Sequence, residues 1–460
     1  MAPYALPSWL LFLVLSLLLV FRCKEHRRRN NPILGNLHQL GELPHQAYWQ
    51  LSKKYGSVML VKLGRISNVI VSSAEAAKQV LKDHDLARCS RPQLAGATRL
   101  SYNYSDVAFT PYGDYWRNMK KLIILELYSL KRVKSFQALR EREIELFINS
   151  ISESAASATP VNLTEKLLSL TANITFKMSF GFDYHGTDFD RKRFPEVVHD
   201  SEAVVAAFSI GELIPYVGWI LDTFFQYVIN DHLKPERKKE QDDVIDVLIR
   251  TKKEQADLGN SKFTNNTIKG VLLNLFAAGV DTSAIIVNWA MAELAKNPRV
   301  MKKVQNEIRN CYRNHVGKKG RLTKDDIDKL EYLKMVIKET FRLHPAAPLL
   351  IPRETISHCN INGYNIYPKT IIQVNVWAIG HSLGQNFEFL PFGAGRRICP
   401  GMHMGTITIN SILANLLYWF NWKLPNRMKS EDINMEEKAE ISLTVSKKIP
   451  LSFVPVKYLQ

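Results

Sequence analysis

The chain has 460 residues, of which 46% are hydrophobic and 23% charged, so it can bury a large core and a disordered chain is excluded. Five cysteines without C-x-x-C spacing exclude a disulfide framework and a structural zinc site, and they favour a reducing compartment. The 61 lysines and arginines exceed the 44 acidic residues and give a net charge of +17, which favours an acidic partner or anionic lipid, and no nucleic-acid motif accompanies it.

The amino-terminal segment Ala5–Phe21 is apolar apart from two serines, and five basic residues follow between positions 22 and 29. At ~1.5 Å per residue it forms a helix of about 25 Å, which spans a hydrocarbon core of about 30 Å with help from its flanks. A cleaved signal is the alternative, but no small residues close the apolar run. We predict a membrane anchor at residues 1–22, a basic, turn-rich linker at 23–35 and a cytosolic domain at 36–460.

Hydrophobic periodicity predicts that this domain is mainly α-helical with small peripheral β-sheets. Two β-branched runs, Val58–Leu63 and Val69–Val71, predict a sheet at its front, and further strands are predicted near Ile361–Val376 and Leu443–Leu451. The predicted helices are Ala74–Leu81, Trp116–Leu127, Leu139–Ile151, Thr164–Met178 and Thr264–Ala295.

The longest predicted helix contains an acid beside an alcohol, in the stretch Ala278-Gly-Val-Asp-Thr-Ser283. Glycine, aspartate and threonine are mediocre helix formers, so a purely structural helix gains little from this cluster. A need for opened backbone and proton-relay groups at Asp281 and Thr282 explains it, and the alternative is a helix kink packed on a neighbour.

Two further patterns follow. Glu339 and Arg342 stand at i and i+3 of a predicted helix and can pair, although surface helices often carry such pairs. A single cysteine then ends a glycine- and arginine-rich loop, Phe392-Gly-Ala-Gly-Arg-Arg-Ile-Cys399-Pro-Gly401.

Positive charge and a helix N-terminus both favour the thiolate, the form of cysteine that binds soft metals. An isolated cysteine is more often a small buried hydrophobe, and a Cys399/His403 metal pair is another alternative, although no second pair completes a tetrahedral site.

Taken together, these patterns resemble the cytochrome P450 family: F-x-x-G-x-R-x-C-x-G is similar to its haem loop, A-G-x-D-T to its distal helix and E-x-x-R to its ion pair. The resemblance covers nearly the whole chain and is closest to the plant microsomal class, family 71. It implies a helical haem domain and a monooxygenase that inserts one atom of O₂ into a small apolar plant metabolite, such as a terpenoid, alkaloid or phenylpropanoid. It also implies haem b, electrons from NADPH–cytochrome P450 reductase, and the endoplasmic reticulum membrane as the location.

The resemblance also implies roles for individual residues. Cys399 would be the axial ligand of the haem iron, and Asp281 and Thr282 would deliver protons to the bound oxygen. Glu339 and Arg342 would form a buried structural lock behind the haem. The other haem contacts implied by the family pattern are Phe392, Gly395, Arg397, Gly401, Trp116, Lys120 and Arg353.

The chain departs from the family pattern at two of these places. About two dozen residues, including an arginine that joins the Glu339/Arg342 pair, are missing between Gly380 and Gln385. Lys120 stands where the family has an arginine, so a point charge replaces a bidentate fork. An impaired or inactive remnant of such an enzyme is therefore an alternative function. A haem-thiolate isomerase or dehydratase is a weaker one, because it would not need the acid–alcohol pair.

Overall fold

Helices dominate the computed structural model, which describes residues 35–181, 214–235, 237, 242–257, 259, 262–313, 322, 324–382, 389–438 and 442–458. The predicted anchor, nearly all of the predicted linker and the point of the missing segment, at 383–388, lie outside these ranges. The helices are α1 (Pro44–Tyr55), α2 (Ala74–Lys78), α3 (Ala95–Leu100), α4 (Asp114–Glu126), α5 (Leu130–Ser135), α6 (Gln137–Ala156), α7 (Leu163–Phe180), α8 (Ile214–His232), α9 (Val244–Asp257), α10 (Asn265–Gly279), α11 (Asp281–Lys296), α12 (Pro298–Arg313), α13 (Lys324–Ile327), α14 (Glu331–Leu343), α15 (Val376–His381) and α16 (Met402–Trp419).

The strands form small sheets, as predicted. They are β1 (Val58–Leu63), β2 (Ile66–Val71), β3 (Val161–Asn162), β4 (Arg353–Glu354), β5 (Cys359–Ile361), β6 (Tyr364–Ile366), β7 (Ile371–Val374), β8 (Phe420–Lys423) and β9 (Ser452–Lys457). One sheet has the order β1-β2-β7-β4, with β2 and β7 parallel, a second has the order β3-β9-β8, and β5 and β6 form a hairpin. The mainly helical fold class with small sheets is confirmed.

The predicted strand at Leu443–Leu451 is wrong, because the strand begins only at Ser452. The preceding segment is held by single hydrogen bonds to other parts of the chain instead of by the regular hydrogen bonds of a β-sheet. The Val445 N–H donates to the carbonyl of Ala346 at 2.9 Å, and the Lys447 ammonium donates to the carbonyl of Asn434. Pro450, which has no N–H to give a ladder, closes this segment.

The core of the domain surrounds α11, which is buried from Ser283 to Ala295 apart from a single residue, Glu293. Apolar residues occupy every side of this helix, so it can only be stable when neighbours cover it all round. It packs against α7, α14 and α16. Within the described ranges, the segment Asn265–Lys296 is long and apolar enough to cross a membrane, but most of it is buried inside the protein, so we assign it to the core.

The long helix predicted at Thr264–Ala295 is in fact two helices, α10 and α11, with Val280 between them. The hydroxyl of Thr282 donates to the carbonyl of Ala278 at 2.6 Å and so competes for an acceptor that the helix backbone would use. A Cβ on Gly279 would lie 3.2 Å from the hydroxyl of Thr175, so the glycine lets α10 pack closely on α7. The break therefore coincides with the acid–alcohol pair.

Candidate haem-binding site

The cysteine loop has a backbone shape that only glycine adopts easily. Gly393 and Gly395 have φ of +67° and +70°, in the left-handed region. At Gly395 a Cβ would overlap the carbonyl oxygen of Leu81 and come within 2.9 Å of the Asp85 carboxyl carbon. The loop closes where the Cys399 N–H donates to the carbonyl of Phe392 at 3.0 Å. This closure presents the cysteine immediately before the first turn of α16.

The environment of the sulfur combines burial with electropositive groups. Burial raises the pKa of the Cys399 thiol, while the N–H groups of Gly401 and Met402 and the Lys120 ammonium lower it. These N–H groups belong to the amino-terminal end of α16, where the helix dipole favours a negative charge. His403, the alternative metal partner, is exposed, and among the described residues no cluster of metal ligands includes Cys399. The arrangement suits a sulfur that binds one soft metal centre.

Several positively charged side chains lie in or against the cysteine loop. The Lys120 ammonium donates to the carbonyls of Arg396 and Ile398 and so ties α4 to the loop. The Arg397 guanidinium lies 4.0 Å from the centre of the Trp116 ring, whose indole N–H donates to the carbonyl of Val107 at 3.0 Å. The structure thus brings Trp116, Lys120 and Arg397 together beside the cysteine loop, and their contact with haem stays a prediction.

Arg353 approaches the loop from β4. Its guanidinium donates to the Asp85 carboxylate at 2.5 Å and to the carbonyl of Ala394 at 2.9 Å. Asp85 also accepts the N–H of Arg396 at 2.7 Å. Sequence reasoning missed Asp85, because an isolated acid in a connecting segment carries no spacing signal.

A fourth cation, Arg91, was also missed. It is buried, and it donates to the carbonyls of Ala108, Ile351 and Pro352 at 2.9, 2.6 and 2.7 Å. Burial lowers the pKa of Arg91, and the charges of Arg397 and Arg353 lower it further. We call Arg91, Lys120, Arg353 and Arg397 the cationic cluster.

The cationic cluster carries more positive charge than the protein neutralises nearby. Burial lowers the pKa of Arg397 to about 10, and burial together with Arg397 lowers that of Lys120 to about 8. The acids that face these four cations in the described residues are Asp85 and Asp106. A group with two carboxylates would balance the surplus, and haem b is such a group. The thiol, the glycine loop and the charge surplus therefore fit haem.

Asp281 and Thr282 stand at the first turn of α11, beside the break in the long helix. The next residue, Ser283, faces α16, since a Cβ on Gly405 would lie 4.0 Å from its hydroxyl. The acid–alcohol pair and the cysteine loop are thus at the amino-terminal ends of two helices that pack against each other.

The Glu339/Arg342 pair forms, but it is partly exposed, whereas the resemblance implied a buried pair. The Arg342 guanidinium donates to both carboxylate oxygens of Glu339, at 2.7 and 2.6 Å, and to the carbonyl of Gly380. The side chains are 55% exposed at Glu339 and 30% exposed at Arg342. The ring of Phe341 lies 5.2 Å from that of Phe392, so α14 still backs the cysteine loop.

One other group of possible metal ligands exists in the described residues, formed by His232, Asp243 and Asp246. The guanidinium of Arg237 occupies it, at 2.8 Å from Asp243 and 3.3 Å from Asp246. His232 donates to the Asp243 carboxylate at 2.9 Å. This cluster is therefore a buried ion-pair network that joins α8 to α9.

Comparison with known proteins agrees with this geometry. The sequence model described as "Cytochrome P450" matches residues 26–383 and 382–453. Cytochrome P450 71B34 of Arabidopsis thaliana is 49% identical, with 98% of this chain and 99% of the relative covered, and Cytochrome P450 71B26 of the same plant is 48% identical, with 98% of each covered. A zebrafish cytochrome P450 solved with abiraterone has a TM-score of 0.76 at 20% identity, over 90% of this chain and 99% of that one.

The comparisons also bear on the missing segment. The alignment with the 71B34 protein runs over 501 residues, 41 more than the 460 of this chain, so the relative contains stretches that this chain lacks. The family match divides in two at residues 382–383, where the sequence predicts the missing segment. The fold, the full-length similarity to 71B proteins and the cysteine loop together show that the chain belongs to the cytochrome P450 family.

Proposed function

We propose that the protein is an active haem-thiolate monooxygenase that inserts one oxygen atom of O₂ into a small apolar plant specialised metabolite. The observation that carries this proposal is the cysteine at a helix N-terminus beside a cationic cluster whose positive charges outnumber the acids that face it. Terpenoids, alkaloids and phenylpropanoids are the substrate classes that the similarity to family 71 suggests.

In the proposed mechanism, bound haem supplies the activation of O₂ and the transfer of one oxygen atom. The Cys399 thiolate would hold the haem iron, and the N–H groups at the start of α16 would stabilise its negative charge. Arg397, Lys120 and Arg353 would hold the two carboxylates, and the Trp116 ring would support the Arg397 guanidinium, which lies 4.0 Å from its centre. Phe392, Gly395 and Gly401 shape the loop so that a flat group can lie close to the backbone.

The acid–alcohol pair moves protons in this proposal. The Thr282 hydroxyl donates its hydrogen bond to the carbonyl of Ala278, at 2.6 Å. The lone pairs of its oxygen are therefore available to accept another hydrogen bond. Asp281 stands at the same helix start and is partly exposed, so it can exchange protons with solvent. Together they would relay protons from solvent, through the Asp281 carboxylate and the Thr282 hydroxyl, into the site where haem would bind.

The electron supply and the location follow from the same similarity. NADPH–cytochrome P450 reductase provides the electrons, and the net charge of +17 suits an acidic flavoprotein. Residues 1–22 anchor the chain in the endoplasmic reticulum membrane as a single span, residues 23–35 form a basic linker that contacts lipid, and the domain at 36–460 is cytosolic.

An inactive remnant is the second candidate function. The division of the family match at 382–383 and the exposed Glu339 favour it, because both mark a weakened support behind the haem. A haem-thiolate isomerase or dehydratase is a third and weaker candidate.

Reconstitution separates these candidates. The full chain is combined with haem, reductase, NADPH and a panel of terpenoids and phenylpropanoids, with and without O₂. We expect O₂-dependent hydroxylated product, and we expect Thr282→Ala to divert reducing equivalents to peroxide while Thr282→Ser retains coupling. Turnover without O₂ would instead support the isomerase, and a chain that takes up no haem would support the remnant.

A further inference from the structure

The loop of residues 106–110 precedes α4. Four of its backbone N–H groups donate hydrogen bonds to two side chains, those of Asn274 and Asp106. The Asn274 side-chain oxygen accepts the N–H of Val107 at 3.2 Å and of Ala108 at 3.1 Å. The Asp106 carboxylate accepts the N–H groups of Phe109 and Thr110, both at 3.1 Å. All four donors are thus satisfied by the side chains of Asn274 and Asp106.

The two side chains also bind each other. The Asn274 amide donates to the Asp106 carboxylate at 2.9 Å, and the carboxylate is fully buried. One turn earlier in α10, a Cβ on Gly270 would lie 3.2 Å from the Asp106 Cβ, so the glycine admits Asp106 against the helix. The loop is therefore fixed to the same long helix that carries Asp281 and Thr282.

The carbonyl groups of the loop accept hydrogen bonds from the cationic cluster. Arg397 donates to the carbonyl of Val107 at 3.3 Å and to that of Thr110 at 2.7 Å. Arg91 donates to the carbonyl of Ala108 at 2.9 Å. Two of the three carbonyls that hold the Arg397 guanidinium thus belong to this loop, and the third is that of Cys89.

We propose that Asn274 and Asp106 are positioning residues that fix the 106–110 loop and, through its carbonyls, hold Arg397 where the haem carboxylates bind. The proposal rests on the proposed function, because that function gives Arg397 its partner. The pair works because the Asp106 carboxylate only accepts hydrogen bonds, whereas the Asn274 amide has both an NH₂ donor and an oxygen acceptor. The NH₂ group binds the carboxylate, and the oxygen atoms of both side chains remain to accept the four backbone N–H groups. Loss of that match frees the loop, and the carbonyls that hold Arg397 move with it.

The reciprocal exchange of the two residues tests this directly. Asn274→Asp sets two carboxylates against each other and should release the loop. The double variant Asp106→Asn/Asn274→Asp keeps one carboxylate and one amide in contact, with all four N–H groups still facing an oxygen. Thr171→Val is the matched control, because it removes a buried hydroxyl that donates to the carbonyl of Leu167 at 3.0 Å within α7.

Three readouts are compared in the full chain. Transfer of haem to excess apomyoglobin gives the haem-loss rate. In the haem-free protein, hydrogen exchange reports the amides of the 106–110 loop, and the rate of phenylglyoxal labelling reports how tightly the Arg397 guanidinium is held. We expect Asn274→Asp to speed haem loss by about 10-fold, as loss of supporting hydrogen bonds does at metal sites. Faster amide exchange and faster Arg397 labelling should accompany it.

The double variant should restore all three rates, and Thr171→Val should leave them unchanged even if its melting temperature falls. The proposal is overturned if the double variant behaves like Asn274→Asp, or if the loop loosens while Arg397 labelling stays at the wild-type rate. If the wild-type chain binds no haem, the proposed function fails, but the labelling of Arg397 still decides whether the two residues position it.

Discussion

Gly395→Ala should destabilise the protein and weaken haem retention, because the loop has no room for a side chain at this position. The left-handed φ of +70° costs a non-glycine residue about 1–2 kcal/mol. The added Cβ would also overlap the carbonyl oxygen of Leu81 and lie 2.9 Å from the Asp85 carboxyl carbon, and overpacking of this kind costs about 1–3 kcal/mol. The total of about 2–5 kcal/mol is a large part of a typical stability of about 5–15 kcal/mol.

Urea unfolding of the haem-free protein and the haem content after gel filtration measure the two effects. Gly363→Ala is the matched control, since Gly363 has φ of +88° but a Cβ there would meet nothing within 4 Å. It should cost only the backbone strain and leave haem content unchanged. Equal destabilisation by both variants, or full haem content in Gly395→Ala, would refute the claim that the Leu81 carbonyl and Asp85 close this position.

Three further predictions follow from the ion pairs. Glu339→Gln should lower the free energy of unfolding by about 1 kcal/mol or less, as for other exposed pairs, and a loss of about 3 kcal/mol in urea unfolding would show that the pair is buried. Insertion of a family segment carrying the missing arginine between Gly380 and Gln385 should slow haem transfer to apomyoglobin, and an unchanged rate would show that its absence is harmless. Burial raises the pKa of Asp243, but hydrogen bonds from His232 and Arg237 outweigh it and hold the pKa below its usual range. The stability from this carboxylate is therefore present above pH ~4 and is lost as the pH falls through the lower folded pKa, so Asp243→Asn should flatten the acid side of the stability–pH curve.

Local patterns predicted the fold and the centre of the site well. Helical periodicity located the five predicted helices to within about five residues at each end, and the opened backbone that would explain the weak helix formers at Gly279–Thr282 coincides with the break between α10 and α11. The glycines of the cysteine loop have a local reason, the left-handed φ at Gly393 and Gly395. In each case the physical cause lies within a few residues of sequence.

Features that depend on distant contacts were not predictable. Asp85, Arg91, Asp106 and Asn274 meet the cysteine loop or its supports across separations of more than 150 residues, and none stands in a motif. The expected burial of Glu339 was wrong, since 55% of its side chain is exposed. Contacts between residues far apart in the sequence leave no local signal.

The central claim is that Cys399 is the thiolate ligand of a bound haem, and the CO difference spectrum of the reduced, membrane-expressed chain tests it most directly. We predict the long-wavelength Soret band that a thiolate ligand produces, and its disappearance in Cys399→Ala. A wild-type chain without haem, a band at shorter wavelength only, or a long-wavelength band that survives Cys399→Ala would contradict the claim.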